Sequence, residues 1–195
     1  MSSLKKKMAI AVGVMAFAPL PAFAHPMPGV GDFYAGMLHP IVSLETALPL
    51  IAISLFAGQQ RRESAIRLLA AFPAAIILGA MLAARSDAPS KLVLVELILT
   101  ATLGVLVAFA RHLPNWLVLA PGVGVGVCAG WSNASEAFGQ VSAFRFVAGL
   151  VVVGLLLLVY GNGLVRNLKV EWARTAVRVA GSWIAAVSIL VLGLR

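Results

Sequence analysis

Long apolar stretches separated by short polar segments set the pattern of the chain from about residue 37 onward. A helix needs about 20 mostly apolar residues to cross a bilayer core roughly 30 Å thick. Six stretches approach this requirement, at about 37–58, 65–84, 92–110, 116–131, 144–161 and 176–194. The segments between them are short and carry turn-forming and charged residues. We therefore predict an all-α, polytopic membrane protein, folded as a compact bundle of six transmembrane helices.

The fourth stretch contains the run PGVGVGVCAGW, in which valine and glycine alternate as they do in a strand. An open strand edge in lipid would leave backbone groups unpaired, so we predict a helix. Gly122, Gly126 and Gly130 then fall on one face, because they recur every four residues. Small residues at this spacing allow two helices to pack closely, while a direct role in a ligand site or pore is the alternative.

The first 24 residues have the pattern of a secretory signal peptide. Lysines at positions 5–7 precede an apolar run that ends in Ala22-Phe23-Ala24. We predict cleavage after residue 24 and a single six-span domain over 25–195. An uncleaved signal anchor is the alternative.

Composition agrees with a membrane protein, since 61% of the 195 residues are hydrophobic and 11% are charged. Basic residues are concentrated in alternate loops, which places eight on one predicted side and four on the other. The first group is Arg61, Arg62, Arg67, Arg111, Arg166, Lys169, Arg174 and Arg178, and the second is Arg85, Lys91, Arg145 and Arg195. The positive-inside rule then predicts a protein of the cytoplasmic membrane with both mature termini on the outer, periplasmic side. This distribution accounts for the basic charge without a nucleic-acid partner.

The single cysteine, Cys128, excludes an intramolecular disulfide and a cysteine-based metal cluster. No phosphate-binding glycine motif is present, so we predict no nucleotide cofactor.

Two acidic residues, Glu45 and Glu96, lie several residues inside predicted spans. An ionisable group at that depth costs about 2–3 kcal/mol on insertion scales and indicates a functional site. Pro49 has no N–H, so the carbonyl of Glu45 loses its helical partner and becomes a second oxygen acceptor. We predict that these oxygens bind a divalent cation. A protonated carboxyl or an interhelical hydrogen bond is the structural alternative.

The remaining candidate ligands lie near the predicted outer side. Glu136 is either a ligand or part of a helix-capping box that begins at Asn133. His39 is either a ligand or, with Pro40 after it, the start of the first span. His25 and Asp32 are secondary metal candidates, His25 because cleavage would give it a free amino group beside its imidazole.

These ordered features resemble the HupE/UreJ family of hydrogenase and urease accessory membrane proteins. The similar segments are AHPMPG, FYAGMLHPIVSLETALPLIAISLFAG, LVLVELILTATLGVLVAFARHLP and GVCAGWSNASEAFG. The resemblance implies a six-span permease for nickel or cobalt. It assigns metal-site positions to His39, Glu96 and Glu136, and to Glu45 where the family has aspartate.

The chain departs from the family pattern at four positions. Ser43 replaces a glycine, and Thr46, Trp131 and Ser135 stand where the family has histidines. Imidazole suits nickel well, so these replacements indicate either a harder cargo or a member that keeps the scaffold without transport.

We predict a membrane metal-ion permease or metal-binding accessory protein that handles a divalent ion such as nickel or cobalt. His39 and Glu45 would capture the ion, Glu96 and Glu136 would complete the site, and rearrangement near Pro49 would release it. The alternative is a non-transporting scaffold or assembly factor for a metalloenzyme. The face of Gly122, Gly126 and Gly130 would then dock a partner or a second copy.

We do not predict an enzyme. Buried carboxylates could serve intramembrane hydrolysis, but the only nearby serine–histidine candidates are Ser43 and His39, one helical turn apart.

Overall fold

The computed structural model describes residues 31–86, 89, 91–137, 139 and 142–194. The predicted signal peptide and His25 lie outside these ranges. The described residues form helices and no strand, which confirms the all-α fold. The helices are α1 (Asp32–Val42), α2 (Leu44–Gln59), α3 (Arg62–Ala83), α4 (Leu92–Phe109), α5 (Asn115–Ala137), α6 (Ala143–Arg166) and α7 (Glu171–Gly193). Helices α3 to α7 are each long and apolar enough to cross a membrane.

The first predicted span is not one straight helix. Ser43 is extended, with φ −88° and ψ 114°, and α1 and α2 meet there at 80°. Pro40 and Pro49 each remove one helical hydrogen bond, and the chain bends between them. The alternative in which His39 and Pro40 begin the span is wrong, because Pro40 lies inside α1. A sixth span exists only if the bent pair counts as one.

Helix α5 extends beyond its predicted end at residue 131 and continues to Ala137. Its polar residues bond back to the helix: Ser132 Oγ donates to the Cys128 carbonyl at 2.9 Å, and Asn133 Nδ2 donates to the Ala129 carbonyl at 2.8 Å. Asn133 therefore does not cap the next helix, and the capping-box alternative for Glu136 is wrong.

The glycine face of α5 packs against α3. A methyl group at Gly122 would meet Leu68, one at Gly126 would meet Ala75, and one at Gly130 would overlap the backbone of Ile76. The residue numbers increase together along both helices, so α3 and α5 run parallel. All three glycines are buried, so this face is not available for the predicted docking of a partner or second copy.

The relative directions of other closely packed helices agree with a chain that crosses the membrane in alternating directions. Ser54 and Gly58 of α2 lie against Gly161 and Val165 of α6, so these helices are also parallel. Helices α4 and α7 are antiparallel, since Gly104 meets Ala185 and Gly181 meets Val107. The first and fifth spans, α2 and α6, therefore run in the same direction as each other. So do the second and fourth spans, α3 and α5. Six spans that alternate in direction require both of these agreements.

Hydrogen bonds from Gln60 join three segments at one end of the bundle. Its side-chain Nε2 donates to the Arg111 carbonyl at 3.0 Å, and its Oε1 accepts from the backbone N–H of Leu113 at 2.9 Å. Its own carbonyl accepts from Arg166 Nη2 at 2.8 Å. We call this the basic end, because arginines at or just after the ends of α2, α4 and α6 lie there, namely Arg61, Arg111 and Arg166.

A substitution at Gly130 tests the close packing of α3 against α5. Gly130→Ala would place a methyl group on the Ile76 backbone, and overpacking of this kind costs about 1–3 kcal/mol. We expect thermal unfolding of the detergent-purified protein at a temperature several degrees lower than wild type. Gly163→Ala is the matched control, because no atom lies within 4 Å of the added carbon, and its stability should be unchanged or higher. An unchanged melting temperature in Gly130→Ala would refute this packing.

Candidate functional site

A cavity of about 300 Å³ lies between α2, α4 and α7 and contains both intramembrane acids. Its polar lining residues are Glu45, Glu96, Thr100 and Ser188. Its apolar lining residues are Leu48, Pro49, Val93, Leu97, Val187 and Val191. The structure thus brings together two carboxylates that are 51 positions apart in the chain and belong to different helices.

Glu96 is the buried member of the pair, with 9% of its surface exposed. Its Oε1 is buried and accepts no hydrogen bond from the described residues. A buried acceptor without a partner costs about 1–3 kcal/mol, so its presence calls for an explanation such as a bound ion or water.

Glu45 is the exposed member, in the first turn of α2. The partial positive charge of a helix N-terminus favours a carboxylate at this position. Glu45 and Glu136 are both close enough to Glu96 to interact with it electrostatically. Like charges repel at such distances, and a cation between Glu45 and Glu96 would relieve that repulsion.

Two hydroxyl groups that were not predicted from the sequence also line the cavity. Thr100 Oγ1 donates to the Glu96 carbonyl at 2.7 Å, and Ser188 Oγ donates to the Ile184 carbonyl at 2.8 Å. Each hydrogen is therefore used within its own helix, and the oxygen lone pairs can still accept or coordinate. Thr100 could have been found from its position four residues after Glu96, but Ser188 carries no comparable signal.

His39 and Glu136 form a second pair, which links α1 to α5. His39 Nε2 and Glu136 Oε2 are 3.2 Å apart, and the two side chains are 15% and 61% exposed. The His39 ring also packs edge-on against Phe146, with centroids 5.8 Å apart. These contacts give His39 a partner other than Ser43, the residue considered for nucleophilic catalysis.

Asp32 fixes the start of α6. Its Oδ2 accepts from the backbone N–H of Ser142 at 3.2 Å and lies 3.9 Å from Arg145 Nη1. Both contacts are structural, and neither directs the carboxylate toward the cavity.

The candidate ligands are therefore arranged as two pairs, Glu45 with Glu96 and His39 with Glu136. In the described part of the chain, no three histidine, cysteine, aspartate or glutamate side chains are grouped closely enough to hold a metal ion. A cation in the cavity would be held by two carboxylates, with hydroxyl oxygens and water in the other positions. Oxygen ligands of this kind suit hard or borderline divalent cations.

Replacement of Glu96 tests whether burial of its carboxyl group destabilises the metal-free protein. Glu96→Leu removes a buried acceptor that lacks a protein partner, so metal-free protein should be stabilised by about 1–3 kcal/mol. Thermal unfolding in detergent with a chelator measures this change. Glu63→Leu is the control, because Glu63 is exposed and its replacement should change stability by only about 0.5 kcal/mol or less. A large loss of stability in Glu96→Leu would show that Glu96 contributes to folding.

Comparisons with known proteins agree with this architecture. The family model described as HupE / UreJ protein matches residues 12–191. A curated relative, Protein HupE of Rhizobium leguminosarum bv. viciae, is 27% identical over 176 residues, which cover 88% of this chain and 91% of the relative. No solved structure matches the chain. The family match covers far more than half of the chain, which therefore belongs to the HupE/UreJ family.

Proposed function

We propose that this membrane protein binds a divalent transition-metal ion, nickel or cobalt, in the cavity between Glu45 and Glu96 and conducts it across the membrane. The observation that carries the proposal is the buried Glu96 Oε1, which lacks a protein partner in a cavity shared with a second carboxylate. Membership of a family linked to nickel and cobalt uptake for hydrogenase and urease supports the same cargo.

Oxygen atoms provide most of the coordination in the proposed site. Three positions where the family has histidines carry Thr46, Trp131 and Ser135. Each of these side chains is buried or hydrogen-bonded within the protein. Thr46 is buried, Trp131 Nε1 donates to the Ser86 carbonyl at 3.4 Å, and Ser135 Oγ donates to the Ser132 carbonyl at 2.8 Å. The site should therefore hold nickel less tightly than an imidazole-rich site would.

We propose that His39 and Glu136 act before the cavity, as the first contact for an incoming ion. His39 supplies an imidazole and Glu136 a largely exposed carboxylate, and Glu136 also interacts electrostatically with Glu96. His25 and Asp32 remain secondary ligand candidates, and the contacts of Asp32 with Ser142 and Arg145 favour a structural role for it.

The bend at Ser43 and the proline at position 49 flank Glu45 on α2. Transport sites in many membrane proteins lie at interrupted helices, where freed carbonyl oxygens coordinate ions. We propose that rearrangement between the bend and Pro49 releases the ion to the other side. The cargo would then pass to the maturation of a metalloenzyme, such as a hydrogenase or urease, without a catalytic or nucleotide-dependent step in this chain.

Metal binding by paired variants tests the assignment of the site. Glu45→Gln with Glu96→Gln removes two charges from the cavity, so affinity for Ni²⁺ or Co²⁺ in equilibrium dialysis should fall at least about tenfold, a change of 1.4 kcal/mol. Glu63→Gln with Glu171→Gln removes the same charge from exposed positions at the basic end and should bind as wild type. No binding by wild type, or equal binding by the two double variants, would rule out the proposal.

We also propose that the protein lies in the cytoplasmic membrane with the basic end inside, following the positive-inside rule. In a Cys128→Ala background, a membrane-impermeant thiol reagent added to intact cells should label Ser86→Cys and leave His112→Cys unlabelled. Ser86 and His112 are both exposed and lie at opposite ends of the bundle. Labelling of His112→Cys alone would reverse the proposed orientation.

A further inference from the structure

A second cavity, of about 430 Å³, lies at the basic end, away from the acidic pair. It is formed where the end of α2, the segment after α4, the end of α6 and the start of α7 come together. Its lining residues are Gly58, Gln59, Gln60, Ala110, His112, Val165, Arg166, Leu168, Arg174, Val177 and Arg178. The proposed passage of a metal cation gives no role to a cavity lined by three arginines.

Each of these arginines is held in place by a backbone carbonyl. Arg166 Nη2 donates to Gln60 at 2.8 Å, Arg178 Nε donates to Ala108 at 2.9 Å, and Arg174 Nε donates to Leu168 at 3.2 Å. A guanidinium has five N–H donors, so these bonds fix its position and leave others for a ligand. The bond of Arg178 uses only its Nε, so its two terminal nitrogens can donate to a ligand.

The positive charge in this cavity is only partly balanced. None of the described lining residues is acidic. Glu171 lies 3.5 Å from Arg174 Nη1, but its side chain is 89% exposed, so the pair is weak. Arginine is charged at every physiological pH, so the positive charge of the cavity does not depend on pH. Planar guanidinium groups match the geometry of phosphate oxygens especially well.

Exposed aromatic residues beside this cavity favour a position at the depth of lipid headgroups. Phe109 adjoins the lining residue Ala110, and Trp172 is two positions from Arg174; their exposed fractions are 65% and 73%. Trp116, at the start of α5, is 67% exposed. Such aromatic belts mark the interface between membrane and water. The side chains of Val165, Leu168 and Val177 give the cavity an apolar wall suited to the glycerol and acyl region of a lipid.

We propose that this cavity binds a phosphate group, and that the group belongs to the headgroup of an anionic phospholipid. Arg174 and Arg178 contact the phosphate, while Arg166 joins the site to Gln60 and so to three chain segments. Free phosphate is also negatively charged, but it has no apolar part that could contact the apolar wall. The proposal is independent of the metal cargo, because it involves different residues at the opposite end of the bundle.

Native mass spectrometry of the full chain in detergent tests this site. The lipids are phosphatidylglycerol and phosphatidylcholine with identical acyl chains, and inorganic phosphate is added in a separate series. Wild type should bind phosphatidylglycerol preferentially. Arg174→Gln with Arg178→Gln should bind it roughly 25-fold more weakly, about fivefold for each arginine near a membrane surface. Arg62→Gln with Arg67→Gln removes two exposed arginines from α3 at the same end and should bind as wild type.

Several results would overturn the proposal. These are equal binding of the two lipids by wild type, equal weakening in both double variants, or displacement of the lipid by millimolar inorganic phosphate. Thermal unfolding without lipid identifies a variant that fails to fold. In that case Arg178→Gln alone provides the test, with an expected loss of about fivefold. Unchanged lipid binding in a folded Arg178→Gln protein would also overturn the proposal.

Discussion

Polar groups inside this bundle must find their partners within the chain, because lipid offers none. Ser132, Thr100 and Ser188 meet this requirement by donating to carbonyls of their own helices. Gln60 meets it by bridging three segments at the basic end. Three buried side-chain oxygens in the described structure lack a partner, one each on Gln59, Glu96 and Asn133. Of these, the Glu96 oxygen is the one that belongs to a carboxyl group in a cavity shared with Glu45, and the proposed cation site rests on that combination.

The two ends of the bundle have opposite chemistry. Glu45, His39 and Glu136 lie at or toward one end, and backbone-anchored arginines surround a cavity at the other. The proposed metal passage and the proposed lipid binding therefore involve separate parts of the molecule. The close glycine contacts between α3 and α5 hold the helices in place without contributing a charged group to either site.

Hydropathy alone predicted the later spans, because a helix is the simplest structure in which a long apolar segment pairs its own backbone groups in lipid. The glycine spacing likewise predicted a close helix contact, but could not indicate that α3 already occupies it. Two features depend on the balance of local bonds and were missed: the bend at Ser43 between two prolines, and the continuation of α5 through Ser132 and Asn133. The meeting of Glu45 with Glu96 depends on helix packing order, which one sequence does not contain.

Locating a bound metal ion would distinguish the cavity between Glu45 and Glu96 from the His39–Glu136 pair. Anomalous scattering from crystals of the wild-type protein grown with Co²⁺ would locate the ion without reliance on any variant. We expect an anomalous peak in the cavity between the carboxylates of Glu45 and Glu96. A peak at His39 and Glu136 with none in that cavity, or no peak at all, would contradict it.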